Sequence, residues 1–536
     1  MDPKRRWPWL LAGAVGCAAI SLKFGLALLR MDFHQYDEGL INLGAEQVLK
    51  GRWPLVDFYA PYPPGGFFAL AAVYKVAGIS IVSERGLSVA LVALAWALAF
   101  LLVATEGKRL LLLGVTIFPL SVGGLFFSTI WVTPQVAGAL MLLMLAANIL
   151  VRAVPSGSLK GAALTGVVLG LAALWRADLA FYGAVAAWLT WIRLAGVGRS
   201  VPQRLAGAMA MAGGAVAVAG PVFALFIFLG GQRAFDSLFV YPITGTYHAT
   251  LPWPSLSSEI SWEEFRRDSW RHGLGMGLDR WQYYFPFVAV AAVVWQLAQK
   301  KGRTGADVAA RVWLLLTAAG FGVYASGRSD TTHVLPLLLV CLTMAALVLS
   351  ADGFDFKWLN RTAAAIVAVA TLAIIPSQLQ RTRDLRVGSR VDVPFARGLG
   401  MRAGPKIIAD YTAIFAALNR GSPTSPVYSG AGRHDAYVVN DVMIYFLAER
   451  DPSTYYWCLD AAVTTSDPVQ REMVAELAAS GAERIVLWKR DAIDDAHAEP
   501  GSHRLDEMLK ATFSKHLVDV GEFTVWERGP ADVPSK

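Results

Sequence analysis

Long apolar runs recur along this chain, and they limit its fold more than any other feature. The first covers residues 7–29 behind Lys4, Arg5 and Arg6; others lie at about 86–105, 109–127, 134–151, 160–175, 178–195, 205–230, 283–299, 312–326, 334–351 and 362–377. A helix needs about 20 apolar residues to cross a bilayer, and only helices and closed barrels satisfy their backbone polar groups there. With 55% hydrophobic and 17% charged residues, the 536-residue chain is too apolar for a single water-soluble globule. The expected architecture is mostly α, a polytopic membrane protein with about eleven transmembrane helices. No small-residue cleavage pattern follows Leu29, so the first run is expected to stay as a helix and not to leave as a signal peptide.

The basic residues orient these runs. Lys108 and Arg109, Arg152 and Lys160, then Arg193, Arg199 and Arg204, then Lys300, Lys301, Arg303 and Arg311 fall in alternate loops, which the positive-inside rule makes cytoplasmic. The net charge of +7 is therefore read as orientation and not as a nucleic-acid footprint. With the N-terminus cytoplasmic, residues 31–63 emerge outside, and only one crossing can separate them from Lys108. The segment 64–82 should then not span. It starts at Pro63, Pro64, Gly65 and Gly66 and carries Lys75 in mid-run, which suits a juxtamembrane helix lying at the outer interface. The same count puts 131–135, 176–178, 231–282, 327–333 and everything beyond about 378 on the outer side.

From about residue 390 the composition becomes that of a soluble domain. Helical apolar spacing at 405–420 and 468–482, with short strand-like runs at 426–430, 484–488 and 523–527, predicts a small C-terminal extracytoplasmic α/β domain over 390–536. Residues 1–380 form the transmembrane domain in this reading, with 31–82 as its first outer loop. Three cysteines, Cys17, Cys341 and Cys458, stand far apart and suggest neither a disulfide framework nor a thiolate metal site.

The first outer loop carries the most informative chemistry. Asp37 and Glu38 are neighbours, and side chains at i and i+1 do not share a helix face, so one can serve a reacting hydroxyl while the other orients it or a metal ion. A solvated acidic loop is the other reading. The sequence Asp37-Glu38-Gly39 just outside the first helix, followed by GRWPLVDFYAPYPPG at 51–65, resembles the GT-C glycosyltransferases of the protein mannosyltransferase and lipid A aminoarabinose transferase type. That resemblance implies a polytopic enzyme that takes a sugar from a polyprenyl-phosphate donor. The acceptor would be a glycan, a lipid or a protein, and transfer would invert the anomeric carbon. Two positions depart from the family pattern: Tyr62 precedes Pro63-Pro64 where protein mannosyltransferases carry His, and Gln135 stands where relatives often have an acid.

Within that resemblance Asp37 is the expected general base, and Glu38 orients the acceptor or a divalent cation, Mg or Mn, if one is used. Arg176 in LWRADLAFY and Arg328 and His333 in GRSDTTH are expected to hold the donor phosphate, because guanidinium groups match phosphate with paired hydrogen bonds. Asp178 and Asp330 would fix these cations; His34, Tyr59 and Tyr62 are further supporting or substrate-binding candidates. Interfacial snorkelling would also account for Arg176 and Asp178, and an ordinary charged turn for the second stretch. The aromatics of 231–282, from Phe235 to Trp281, suit an interfacial belt, and His248 among them is a candidate only. In the soluble domain Arg433, His434 and Asp435 follow a predicted strand, where open α/β sheets collect ligands. No Walker or dinucleotide motif is present, in keeping with a lipid-borne donor.

A polytopic transporter or flippase for a lipid-linked or small polar substrate is the alternative function, although ionisable groups gather at the outer ends of the runs and not deep within them. A membrane protein that only senses or docks a partner would make the acidic pair dispensable. High Ala and Gly content inclines the location towards a bacterial plasma membrane.

Overall fold

The computed structural model describes residues 3–104, 120, 123, 133–196, 199–244, 253–254, 270–299, 304–350, 358–375, 379, 383, 388–436, 438–460, 463–490 and 501–530. Apart from Leu120 and Gly123, the expected span at 109–127 lies outside the described residues, as do residues 131–132, His248 and 255–269. The chain is mostly helical. In order, α1 is Pro3–Leu28, α2 Asp37–Leu49, α3 Gly65–Ala77, α4 Ile81–Val103, α5 Pro134–Ala153, α6 Leu159–Trp175, α7 Ala177–Leu194 and α8 Val201–Phe235. After a short turn at Tyr241–Thr244 come α9 Trp270–Ala298, α10 Gly305–Gly327, α11 Thr331–Leu349 and α12 Trp358–Leu372. Among the described residues six helices are long and apolar enough to cross a membrane, and the helices Gly65–Ala77, Leu159–Trp175 and Thr362–Leu372 are shorter but apolar. The protein is a multi-pass membrane protein.

Two compact units divide the chain: residues 1–29, 86–223 and 251–387 form the first, and residues 30–85, 224–250 and 388–536 the second. The division falls within α4 and α8. In the first unit the core is built from Trp96, Trp191, Trp313, Phe100 and Phe321, all fully buried, with aliphatic side chains of α5, α10 and α11. Small residues let its helices approach closely. A Cβ added at Gly166 of α6 would fall on the Met211 carbonyl oxygen of α8, and one at Gly214 of α8 on the Ala163 carbonyl of α6. Lipid supplies no hydrophobic drive between helices, so such backbone contact is what their packing can use.

The second unit joins residues 30–85 and 224–250 to the C-terminal segment. Its sheet has the order β3-β4-β6-β5, with β3 Val427–Ala431, β4 Arg484–Trp488, β5 Lys515–Val520 and β6 Phe523–Glu527; a separate pair joins β1 Val391–Asp392 to β2 Arg402–Ala403. Strands β3 and β4 are parallel, and β6 runs antiparallel to both β4 and β5. The crossover from β3 to β4 contains α14 Met443–Leu447 and α15 Asp467–Ala479, while α13 Pro405–Leu418 precedes β3 and α16 Arg504–Thr512 precedes β5. The three predicted strands and two predicted helices all form, within a few residues of their expected ends. Strand β5 and α16 were not predicted. Strand β5 is exposed or half-buried throughout, so its sequence lacks the apolar run that marks β3 and β4.

Helix α3 ends at Ala77, which leaves it 13 residues long, shorter than a bilayer crossing. Helix α2 is buried along most of its length, and Gly39 explains how: a Cβ there would lie 2.5 Å from the Met443 backbone nitrogen. Glycine in the Asp-Glu-Gly stretch thus admits the chain of α14 against the first turn of α2.

Candidate functional site

The second unit presents Asp37 and Glu38 in different ways. Both stand in the first turn of α2, where the helix dipole favours a carboxylate. Glu38 is 3% exposed at its side chain and receives Arg85 in a bidentate pair, Nε to Oε1 at 2.6 Å and Nη2 to Oε2 at 2.8 Å. The backbone N–H of His34 donates to the same Oε2 at 2.6 Å. Asp37 is 40% exposed, and His34 Nδ1 lies 3.4 Å from its carboxylate. The Asp37 backbone N–H also donates to His34 Nδ1 at 3.0 Å, which makes that ring nitrogen an acceptor and leaves its proton on the other. The acids therefore divide the work: one is locked inside, the other is offered to solvent.

The loop before Asp37 is held from several sides. Arg85 Nη1 donates to the Met31 carbonyl at 2.9 Å, and Arg390 Nε and Nη2 reach Asp32 Oδ2 at 2.9 and 2.5 Å. Gln35 donates its side-chain amide to Asp441 Oδ2 at 3.0 Å and accepts the Met443 N–H at 2.9 Å, while Tyr36 donates its hydroxyl to the Leu459 carbonyl. Asp441 is fully buried and also receives the Tyr411 hydroxyl at 2.6 Å. Burial pushes its carboxyl up to about 7, against those two hydrogen bonds. Further along α2, Glu46 is buried between Arg397, at 2.6 and 2.8 Å, and Lys50 at 2.9 Å.

Tyr59 is not open to a substrate: it is 1% exposed, and its hydroxyl donates to Asp460 Oδ2 at 2.9 Å. Burial, reinforced by Asp460, pushes its phenol well above the ordinary value. Tyr62 is half-buried on the turn that leads through Pro63 and Pro64 into α3.

The first unit holds the other candidates at two helix corners. Arg176 is the extended residue between α6 and α7, and Arg328 the extended residue after α10, with φ of −154° and −150° and ψ of 97° at both. Each bonds the aspartate two residues on. Arg176 grips Asp178 through Nε and Nη2 at 3.0 and 2.9 Å, and Arg328 Nε meets Asp330 Oδ2 at 2.9 Å. Asp330 caps α11 by accepting the His333 N–H at 2.9 Å and pairs with His333 Nδ1 at 2.8 Å. Burial opposes ionisation of Asp330, but the bonds from His333 and the charge of Arg328 outweigh it and bring the carboxyl down to about 2. Tyr324 of α10 ties the corners together. Its hydroxyl accepts Arg176 Nη2 at 2.9 Å, and its ring lies against that of His333 with centroids 5.4 Å apart.

The structure thus brings Arg176, Asp178, Arg328, Asp330 and His333 into one cluster, and His34, Asp37 and Glu38 into another. Sequence reasoning missed Arg85, Tyr324, Tyr411 and Asp441. Arg85 stands at the head of an apolar run, where it reads as an interfacial anchor, and nothing local marks the others.

For a divalent cation, the acidic pair offers a poor set, because both Glu38 oxygens are already taken by Arg85. A group whose geometry could accept one is Asp435, His503 and Asp506, with ligand atoms within 4.8 Å of one another. Asp435 there is held bidentately by Arg433 at 2.8 and 2.7 Å, and Asp506 by His434 Nδ1 at 2.7 Å.

No protein-family model matches the sequence, and no curated protein is similar to it. Solved structures are. ArnT from Cupriavidus metallidurans, crystallised with undecaprenyl phosphate, superposes with a TM-score of 0.53 at 13% identity over 98% of this chain and 99% of that one. Its apo form gives 0.52 at 12% identity, over 98% and 100%. The chain has the fold of ArnT. The Pmt1–Pmt2 protein O-mannosyltransferase complex of S. cerevisiae, bound to its sugar donor, gives 0.34 at 19% identity over 44% of this chain and 35% of that one. The GT-C resemblance read from residues 37–39 and 51–65 is met again in the fold through the likeness to ArnT, which extends over nearly the whole chain.

Proposed function

We propose that this protein is a glycosyltransferase that moves a sugar from a polyprenyl-phosphate donor to an acceptor at the outer face of the membrane. The observation that carries the reading is the contrast at α2, where Glu38 is neutralised by Arg85 while Asp37 stands exposed beside it. The fold shared with ArnT, a protein crystallised with undecaprenyl phosphate, supports the donor class.

In this mechanism the Asp37 carboxylate takes the proton from an acceptor hydroxyl. The acceptor oxygen attacks the anomeric carbon, and the bond from that carbon to the phosphate oxygen breaks with its electron pair going to the polyprenyl phosphate. A single displacement of this kind inverts the configuration, and Asp37 then gives its proton to water. Arg176, Arg328 and His333 stabilise the charge that grows on the leaving phosphate, with Tyr324, Asp178 and Asp330 setting their positions. Glu38 acts on the site through Arg85 and His34, by fixing the loop that presents Asp37. No step requires a metal ion. The reading places the N-terminus in the cytoplasm, the second unit outside and the protein in a bacterial inner membrane.

The test is transfer of radiolabelled sugar from defined polyprenyl-phosphate donors, in membranes holding wild type or Asp37→Asn and supplied with acceptor-rich extract. Transfer by wild type and its loss in a stably expressed mutant supports the assignment. Intact donors and no transfer by either protein would sink it in favour of a transporter or accessory role.

A further inference from the structure

Asp37 stands between two points at which its chain docks on one short stretch of the C-terminal segment. Before it, the Gln35 carbonyl accepts the Met443 N–H at 2.9 Å; after it, Gly39 lies so close that a Cβ would fall 2.5 Å from the same nitrogen. Two residues upstream of Met443, Asp441 Oδ2 accepts the Gln35 side-chain amide at 3.0 Å. Gln35 is thus gripped at its carbonyl and at its side chain by residues 441–443, all within the second unit. Whatever loosens that stretch loosens the backbone that presents Asp37.

Asp441 differs from the buried acids of α2. Glu38 faces Arg85, and Glu46 faces Arg397 and Lys50. Asp441 is 0% exposed, and no Arg, Lys or His among the described residues bonds it. Its Oδ2 takes the Tyr411 hydroxyl at 2.6 Å as well as Gln35, while Oδ1 is buried with no hydrogen-bond partner. A carboxylate shut in without a counter-ion is costly, and a proton on Oδ1 removes the charge while Oδ2 keeps both bonds. Burial pushes the group up to about 7, although the Tyr411 and Gln35 bonds and the nearby Met443 and Ile444 N–H groups favour the anion.

The titratable groups around it are engaged elsewhere. In the loop before α2, His34 accepts the Asp37 N–H and Tyr36 donates to the Leu459 carbonyl. On α13, Asp410 beside Tyr411 meets Lys406 at 3.1 Å. On β3, Tyr428 bonds His434, and on α14 the Tyr445 hydroxyl donates to the Ser429 carbonyl. Being closed to solvent, Asp441 can act on the site only through Gln35 and Met443.

We propose that Asp441 is a positioning residue for Asp37, acting through Gln35, and that its buried neutral carboxyl makes the hold on residues 31–36 sensitive to pH. The proposal deepens the transferase reading and rests on it only for what Asp37 does. Opening of the loop lets Asp441 meet water and ionise as an ordinary carboxyl does, at about 4. The closed form keeps its proton up to about 7. Opening therefore releases a proton between these values, becomes easier as pH rises through that window and levels off above it.

The test is hydrogen exchange on the full chain in lipid nanodiscs, with each rate divided by the intrinsic rate at that pH. The amides of Asp32, His34, Asp37 and Leu40 are hydrogen-bonded and report the opening. In wild type their corrected exchange should rise by up to about tenfold per pH unit from about pH 5 to about 7, then level off. In Asp441→Asn it should stay level throughout. Tyr411→Phe removes a bond that favours the anion, so its rise should continue to higher pH. Strand β6 should show no such slope, since a slope shared with β6 would report unfolding of the whole unit. Sugar transfer gives a second readout: the ratio of the wild-type rate to that of Asp441→Asn should fall across the same window and level above it. The proposal is overturned if wild type and Asp441→Asn exchange in parallel, if β6 shares the slope, or if the transfer ratio is flat. Should Asp441→Asn not fold, an unshifted Tyr411→Phe profile overturns it. If wild type transfers nothing at any pH, the transferase reading fails and the exchange result still decides whether Asp441 holds the loop; a flat exchange profile with active transfer does the reverse.

Discussion

The ion pairs of the two units are built on different scales. In the first unit Arg176–Asp178 and Arg328–Asp330 close over two residues, at helix corners, with the second pair about 30% exposed on both sides. In the second unit Arg85 and Glu38 come together across 47 residues of chain and are both buried, at 9% and 3% exposure. The local pairs leave a cluster still partly open to a ligand. The long-range pair removes one carboxylate from chemistry and so singles out its neighbour. Two carboxyls, one from each unit, titrate in opposite senses: Asp330 of the first is held down to about 2 by His333 and Arg328, whereas buried Asp441 of the second is driven up to about 7.

The sharpest test of this contrast sets Asp37 against Glu38. Asp37→Asn is expected to lower the transfer rate by about 10²–10⁴-fold, the range for loss of a general base, with no change in the thermal unfolding midpoint. Glu38→Gln should act the other way, with a clear loss of stability. An Asp37 variant that keeps its activity would break the division of labour. Removing the buried partner comes next. Arg85→Ala leaves the Glu38 charge unpaired and is expected to cost about 3–5 kcal/mol in denaturant unfolding, while Arg85→Met with Glu38→Met should recover most of it.

A pH series on the purified protein sharpens the comparison of Asp441 with Asp330. Asp441 has a folded value above its unfolded one, so its contribution is fully present below the ordinary carboxylate range and is lost as pH rises towards about 7. Asp330 has the opposite sign: its contribution is present above the ordinary range and fades as pH falls towards about 2. Asp441→Asn should flatten the unfolding midpoint between pH 4 and 7, a window taken from about 4 for an ordinary carboxyl to the shifted value. The smallest effect is expected at Arg328→Ala, about 0–1 kcal/mol in stability because its pair is partly solvated, with its main cost in transfer from the donor. A large stability loss there would erase the distinction between corner and buried pairs.

Much of this was legible in the sequence because it is written locally. The Arg-x-Asp corners at 176–178 and 328–330 announce their pairing at a spacing of two, and the strands β3, β4 and β6 show as short apolar runs. The adjacency of Asp37 and Glu38 was enough to expect them to point differently. Which of them would be buried was not, since that depends on Arg85 and on the approach of Met443 to Gly39. Asp441 and Tyr411 had no signal at all: an acid and a phenol in the C-terminal segment are unremarkable until folding lays them against Gln35.

The amino-acid order by itself determined a membrane chain with an acidic pair behind its first apolar run, because bilayer thickness and helical rise act on contiguous residues. Only the tertiary structure decided that Glu38 is an anchor and Asp37 the exposed acid. That choice depends on desolvation, and desolvation is set by groups that the chain brings from 47 and about 400 residues away.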